Sequence, residues 1–334
     1  MHLAAFAVAL AVWHPLPPVP DRGYSSVEGV RVGRLALFVA GATYDATRVK
    51  ARAYDLRADR WRRLPRAPLR WRSGQVTLAA GGRVIVWGGA SDRRRLRDGA
   101  VLADGRWRRM ARAPVYGFDR AAVWTGREMI VPARATTHPA AASRRRTYGA
   151  AYDPVADRWR LIRPAPFRVR AAVWTGRRVL VLGARVAAAY DAERDRWRAL
   201  APPPIRAMDT PRAAWTGSRM LAFNGARGAI YDPRRDRWHL MGRPPLAHRH
   251  DFTAVWDGRR LLIWGGVRND CGDCFLADGA AFDPATRRWR RLPQAPLAPR
   301  DRHAAVPLRG GMVVWAGCCR GARQLADGAI LSTR

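Results

Sequence analysis

Short apolar runs, none longer than about eight residues, alternate along the whole chain with turns rich in glycine, proline and aspartate. Residues 170–200 show one full period. Ala171–Trp174 is the first run, and Thr175-Gly176 follows as a two-residue hairpin signal. Val179–Leu182, Ala187–Tyr190 and Trp197–Leu200 are the second, third and fourth runs. The segment between the third and fourth has counterparts that open Asp153-Pro154, Asp232-Pro233 and Asp283-Pro284. Aspartate caps nearby amides and proline presets φ, so this segment reads as a turn. Helices need longer runs, so the unit reads as four short antiparallel strands, A to D.

The fourth run opens on a tryptophan that recurs at Trp13, Trp61, Trp107, Trp159, Trp197, Trp238 and Trp289. Spacings of roughly 40–50 residues belong to repeat folds. Seven second strands can be counted, at residues 35–40, 84–87, 129–131, 179–182, 220–223, 261–264 and 312–315. Seven third strands end at Tyr54, Leu102, Tyr152, Tyr190, Tyr231, Phe282 and Leu331. A lone four-stranded sheet leaves a face uncovered, whereas copies arranged radially cover one another. The last unit ends at its third strand, and the chain opens on a fourth strand, residues 12–17, with no three before it. The two gaps complement each other, and pairing them removes the unpaired edges. The expected fold is all-β: a seven-bladed β-propeller of four-stranded antiparallel blades, closed by the N-terminal strand on the last blade.

These residues resemble the kelch repeat and the superfamily around the galactose oxidase central domain. Gly88-Gly89 and Gly265-Gly266 keep the glycine pair that ends the second strand, and Tyr54-Asp55, Tyr152-Asp153, Tyr190-Asp191, Tyr231-Asp232 and Phe282-Asp283 keep the next element. The glycine pair is changed at Ala40-Gly41, Pro132-Ala133, Gly183-Ala184, Asn224-Gly225 and Ala316-Gly317, and the second unit has Ala103-Asp104 in place of Tyr-Asp. The resemblance covers residues 12–331 and implies a propeller, a scaffold that hosts both binders and enzymes. Galactose oxidase chemistry needs two histidines, two tyrosines and a Tyr–Cys crosslink around copper. Tyr54, Tyr152, Tyr190 and Tyr231 are repeat-core residues here, and Tyr24 and Tyr116 lie far round the ring from the histidines. The accessory domains of such oxidases are also missing, so no copper oxidase is expected.

Composition adds a net charge of +35, with 61 basic residues against 26 acidic ones. Lys50 is the only lysine. The wealth of Arg, Ala, Gly and Pro fits a GC-rich coding bias, and the charge is spread over every blade. Specific nucleic-acid binding is therefore not expected, while salt-sensitive adhesion to polyanions is. Residues 1–11 form an apolar segment too short to span a bilayer. Ala9-Leu10-Ala11 resembles a cleavage site, which favours an extracytoplasmic location through an export signal starting upstream of Met1. Residues 12–334 are expected to form one domain and a monomer.

Alternate connections of such a blade emerge on opposite faces. Long B–C loops at residues 133–147, 267–278 and 318–327 place function on the B–C/D–A face. There the D–A connections carry Arg22, Arg72, Arg120, Arg170, Arg212, Arg249 and Arg302, which radial symmetry would set as a ring round the channel mouth. Guanidinium forks suit carboxylate, phosphate and sulfate. The alternative is that each arginine pairs with a loop acid such as Asp21, Asp119, Asp209, Asp251 or Asp301. Trp71, between Arg70 and Arg72, is the one tryptophan expected to make ligand contact. The four cysteines, Cys271, Cys274, Cys318 and Cys319, share this face. They read as one or two disulfides, with a zinc site or plain thiols as alternatives. His248, His250 and His303, with Asp251, Asp270, Asp273 and Asp301, form the one mixed cluster of titratable groups. His250 and His303 join the candidate ligand-binding set.

No catalytic residue, metal or cofactor is assigned from these patterns. The expected function is a binding or scaffold propeller that recognises an anionic protein, glycan or envelope polymer through the B–C/D–A face. The alternative is an epimerase- or mutarotase-like enzyme acting on an acidic sugar in the funnel. A general base would then have to be Asp or His, since Glu28, Glu128 and Glu193 are the only glutamates and none is placed for it.

Overall fold

A computed structural model describes residues 11–19, 23–42, 48–92, 94–117, 121–136, 147–206, 211–268, 270–271, 274–319, 321 and 323–333. Their strands form seven antiparallel four-stranded sheets, each ordered A-B-C-D from the inside out. The inner strands are Ser25–Val32, Val76–Ala80, Val123–Trp124, Ala171–Trp174, Arg212–Trp215, Thr253–Trp256 and Ala304–Leu308. Each touches the inner strands of both neighbours, and Ser25–Val32 meets Ala304–Leu308, so the ring is closed.

The closing blade contains Ala304–Leu308, Gly311–Cys319, Arg323–Thr333 and, as its outer strand, Ala11–Pro15. Trp13 pairs with Leu331 and His14 with Ile330. The strand ends where Pro17 and Pro18 remove two amide donors. Of the apolar segment 1–11, all but Ala11 lies outside the described residues, as does the proposed cleavage site at Ala9-Leu10.

Local chemistry explains the repeat. In the A–B turn the Thr175 hydroxyl accepts from the Arg177 and Arg178 amides, and Gly176 takes the left-handed conformation (φ 88°) that the turn needs. In the C–D turn Asp191 Oδ1 accepts from the Glu193 and Arg194 amides, and Asp195 (φ 48°) brings its carboxylate back to the Tyr190 hydroxyl at 2.7 Å. Tyr152–Asp157 and Tyr231–Asp236 repeat that bond, each at 2.6 Å.

Blades are joined by apolar clusters, one at each of the seven junctions. A polar belt runs outside them. Every repeat tryptophan donates its indole N–H to a carbonyl of the preceding blade: Trp13 to Pro293, Trp61 to Pro17, Trp107 to Pro65, Trp159 to Ala111, Trp197 to Arg163, Trp238 to Ala201 and Trp289 to Met241, all at 2.8–3.1 Å. At three junctions the C–D aspartate grips the same residue by its amide, 2.9 Å in each case: Asp157 on Ala111, Asp195 on Arg163 and Asp236 on Ala201. The Tyr231 hydroxyl and the Ala201 amide together hold the Asp236 carboxyl below its usual range.

One expectation is corrected. Residues 318–327 were read as a long loop, but strands Gly311–Cys319 and Arg323–Thr333 continue pairing through it, with Cys318 opposite Gln324. A bulge at Ala316 (φ 63°) re-registers the ladder so that it runs on past the blade. Likewise Met129–Thr136 extends the second strand of blade 3 into the region expected as loop.

Trp13 is buried, packs 6.0 Å from the Trp264 ring and makes one of the seven belt bonds. Trp13→Ala is expected to lower unfolding free energy by about 3–5 kcal/mol, as much as Trp61→Ala in the first blade. Denaturant midpoints check this, and a Trp13→Ala midpoint equal to wild type would show that the N-terminal strand bears no load.

Candidate functional site

The D–A connections do not present one ring of arginines. Arg72 and Arg249 are fully buried and turn into the body of the propeller. Arg72 forks onto Asp98 at 3.1 and 3.0 Å and donates to the Gly88 carbonyl at 3.0 Å. Arg249 does the same with Asp278 and the Gly265 carbonyl. Their true counterpart in the last blade is Arg300, bound to Asp327 at 2.9 Å and to the Ala316 carbonyl. All three precede the first inner-strand residue (Val76, Thr253, Ala304) by the same four positions. The signal that could have found the set is the partner acid, which stands each time in Asp-Gly-Ala at the start of the third strand: Asp98, Asp278 and Asp327. These buried guanidiniums staple the left-handed second-strand ends to the third strand, so Arg72 and Arg249 leave the candidate ligand-contact set. Arg170 is half-buried, with its amide on the Leu182 carbonyl. Arg22 and Arg120 lie outside the described residues. Trp71 is half-buried.

Arg212 and Arg302 do reach the mouth of the channel. They line a cavity of about 210 Å³ with Glu28, Asp251, Thr253 and His303. Arg302 and Asp251 stand two residues before their inner strands, both with left-handed backbones (φ 49° and 50°). Gly74 (φ 65°) holds the same place in blade 2. The lead-in turn thus requires a conformation that costs energy in most residues, and here it turns charged side chains toward the axis. Arg302 is 56% exposed and lies 3.9 Å from Asp251 and 3.5 Å from Asp301. Arg212 is steadied by a bond from Nε to the Phe252 carbonyl.

The structure brings together three members of the expected titratable cluster, His250, Asp251 and Asp301, and sets Arg302 beside them. Asp301 is buried, and its Oδ1 has no hydrogen-bond partner. Burial pushes its carboxyl up to about 6, with Asp251 adding to the shift and Arg302 and His250 opposing it. His303 separates from this group. Its ring turns inward, stands edge-on to Trp264 and shares a 2.8 Å bond with the Thr253 hydroxyl. Burial, with Arg300 and Arg212 nearby, pushes the imidazole down to about 3, so it is neutral at physiological pH. His248 is exposed, and Asp270 is held by Arg268 through two bonds of 2.9 and 2.6 Å. Asp273 lies outside the described residues.

Cys271 and Cys274 are joined by a disulfide within one loop. Cys318 is buried, and the Cys319 side chain lies outside the described set. Among the described residues no group of three or more His, Cys, Asp or Glu is arranged to hold a metal ion. No described helix is long and apolar enough to cross a membrane.

No family model matches the chain, and no curated protein matches it. Among solved structures it is similar to a fungal alcohol oxidase of the AA5 family in complex with copper. The TM-score is 0.70 at 14% identity, over 97% of this chain and 76% of that one. That likeness supports the propeller fold. Among the described residues, the channel-mouth lining has one histidine, already bonded to Thr253, and no tyrosine, a donor set that does not fit a copper ion.

Two predictions follow from burial. Arg300→Ala is expected to cost about 2–5 kcal/mol, because it strands Asp327 and the carbonyls of Ala298, Ala316 and Asp327, whereas Arg302→Ala shifts stability by less than about 0.5 kcal/mol. Urea melts of the two variants check the contrast. The second concerns pH. The folded state raises the Asp301 pKa from 3.8 to about 6, so its contribution is present below pH 4 and lost as pH rises through 6. Asp301→Asn should therefore stabilise the protein at pH 8, and the gain should vanish by pH 4. Thermal melts across that range measure it, and a pH-independent difference would contradict the assignment.

Proposed function

We propose that this protein is a binding propeller that takes the acidic end of an anionic glycan in its channel mouth. One observation carries the reading. Arg302 is held at the axis by the left-handed lead-in turn, yet its carboxylate neighbours stand at 3.5 and 3.9 Å, beyond charge-assisted hydrogen-bond length. Its fork can therefore still accept a ligand carboxylate. Glu28, Asp251 and Thr253 beside it offer acceptors and a hydroxyl for sugar hydroxyls. In this reading the repeat is of the kelch type, the B–C/D–A face is the recognition face, and the Cys271–Cys274 disulfide fits an oxidising, extracytoplasmic compartment.

A second reading is favoured by Asp301. A carboxyl poised at about 6 beside the ligand-facing Arg302 suits general acid–base work on an acidic sugar, as in an epimerase or mutarotase. The likeness to an oxidase is one of fold and supports no particular reaction.

Calorimetric titration with free uronic acids and the matching neutral sugars, at physiological and high salt, separates the readings. The binding reading expects a preference for the uronate that survives high salt, lost by about tenfold or more in Arg302→Ala, with no turnover. Turnover that disappears in Asp301→Asn would establish the enzyme instead. Equal response to neutral and acidic sugars would remove both.

A further inference from the structure

The grooves between neighbouring blades on the A–B/C–D face repeat round the ring, and the guanidiniums that line them differ in how closely a carboxylate holds them. In blade 3, Glu128 stands just before the second strand, and Arg160 follows the repeat residue Trp159 on the outer strand. Arg160 reaches across to Glu128 through two bonds, 3.0 and 2.7 Å. Blade 4 keeps the same register, with Val179, Tyr190 and Trp197 in the places of Met129, Tyr152 and Trp159. There Arg178 replaces Glu128 while Arg198 keeps the place of Arg160. Two guanidiniums hold these places in blade 2 (Arg83, Arg108) and blade 6 (Arg260, Arg290) as well, so what matters at Arg178 and Arg198 is how each is partnered.

Neither finds a close carboxylate. Arg178 lies 3.9 Å from Asp191, which is already engaged by Arg194 at 3.2 Å and by two turn amides. Arg198 lies 3.9 Å from Asp236, which is held by the Tyr231 hydroxyl and the Ala201 amide. In blade 6 the counterpart Arg260 is instead bound by Asp257 at 3.0 Å. Arg178 and Arg198 share a cavity of about 280 Å³ with Leu180, Leu200, Trp215, Arg234 and the already engaged Asp236, between blades 4 and 5. Trp215 is half-buried, so part of its indole faces the cavity. The volume lies just under the roughly 300–1,000 Å³ of pockets for drug-sized ligands, which sets the ligand as small.

We propose that this groove is a second ligand site, on the face opposite the channel mouth, for a small molecule carrying an oxyanion on an aromatic ring. The guanidiniums of Arg178 and Arg198 match the paired oxygens of phosphate, sulfate or carboxylate. The ring packs against Trp215 and the two leucines, where flat apolar surface is available.

Titration of the full chain with phenyl phosphate, phenyl sulfate and benzoate tests this, with inorganic phosphate and phenol as the two halves of the ligand. At least one aryl oxyanion is expected to bind more tightly than either half, and comparison of the three identifies the oxyanion. Arg178→Glu restores the arrangement of blade 3, so it is expected to fold with an unchanged melting temperature and to bind about tenfold or more weakly. Arg198→Gln should show the same loss. Arg57→Glu reverses the same charge in an exposed turn of blade 1 and should leave affinity unchanged. The proposal is overturned if no aryl oxyanion exceeds inorganic phosphate, if Arg178→Glu and Arg198→Gln bind as wild type does, or if Arg57→Glu weakens binding equally.

Discussion

The structure depends on one bond made seven times: a repeat tryptophan on the outer strand of each blade donates its indole N–H to a carbonyl of the blade before it. Each such bond, part-buried or exposed, adds only about 0.5–1.5 kcal/mol, but together with the apolar cluster at its junction it fixes each blade in one angular relation to its neighbour. The belt closes because Trp13, at the start of the chain, serves the last blade, and Pro17 just after it accepts from Trp61 of the first. The segment from Trp13 to Pro17 therefore binds the last blade to its neighbours on both sides. With the ring closed, inner strands converge on an axis, and equivalent positions in different blades become neighbours there. That convergence is what makes a cavity of Glu28, Arg212, Asp251 and Arg302, residues from four different blades.

Arginine does three jobs on this scaffold. Arg72, Arg249 and Arg300 are internal fasteners, buried and saturated by an aspartate and backbone carbonyls. Others pair with turn acids, as Arg108 does with Asp157 of the next blade at 2.7 Å. A few, among them Arg302, Arg178 and Arg198, reach acids only at 3.5–3.9 Å and keep donors for something else. Net charge alone does not separate these classes. Distance to the nearest carboxylate does.

The fold was legible because its signals are periodic. Tryptophan and the x-Gly turn return at every blade and Tyr-Asp or Phe-Asp at five of the seven, and the mismatch between the first and last strands announces closure. The site was less legible because the D–A connections place arginine at differing offsets from the inner strand. Arg72 and Arg249 stand four residues before it and Arg302 two, while Arg212 is its first residue. A difference of two residues moves a guanidinium from the core to the channel mouth, and the left-handed backbone at Arg302 adds to that turn. Arg300 went unnoticed because its partner, Asp327, is far along the chain. His303 looked like a surface ligand because it follows two charged residues, but Thr253 and Trp264 of the neighbouring blade hold its ring inside. The hairpin that carries Cys318 was hidden because nothing in Arg323-Gln324-Leu325 has the apolar alternation of a strand.

Amide hydrogen exchange along the chain tests the closed belt most directly. The amides of strand Ala11–Pro15 and of its partner Arg323–Thr333 should be protected to the same degree as the third and outer strands of blade 4, Ala187–Asp191 and Arg196–Leu200. Exchange of Val12 and Trp13 at the rate of an unstructured terminus, with blade 4 still protected, would contradict the account, because the junction of the last two blades would then stand without its bond in the belt.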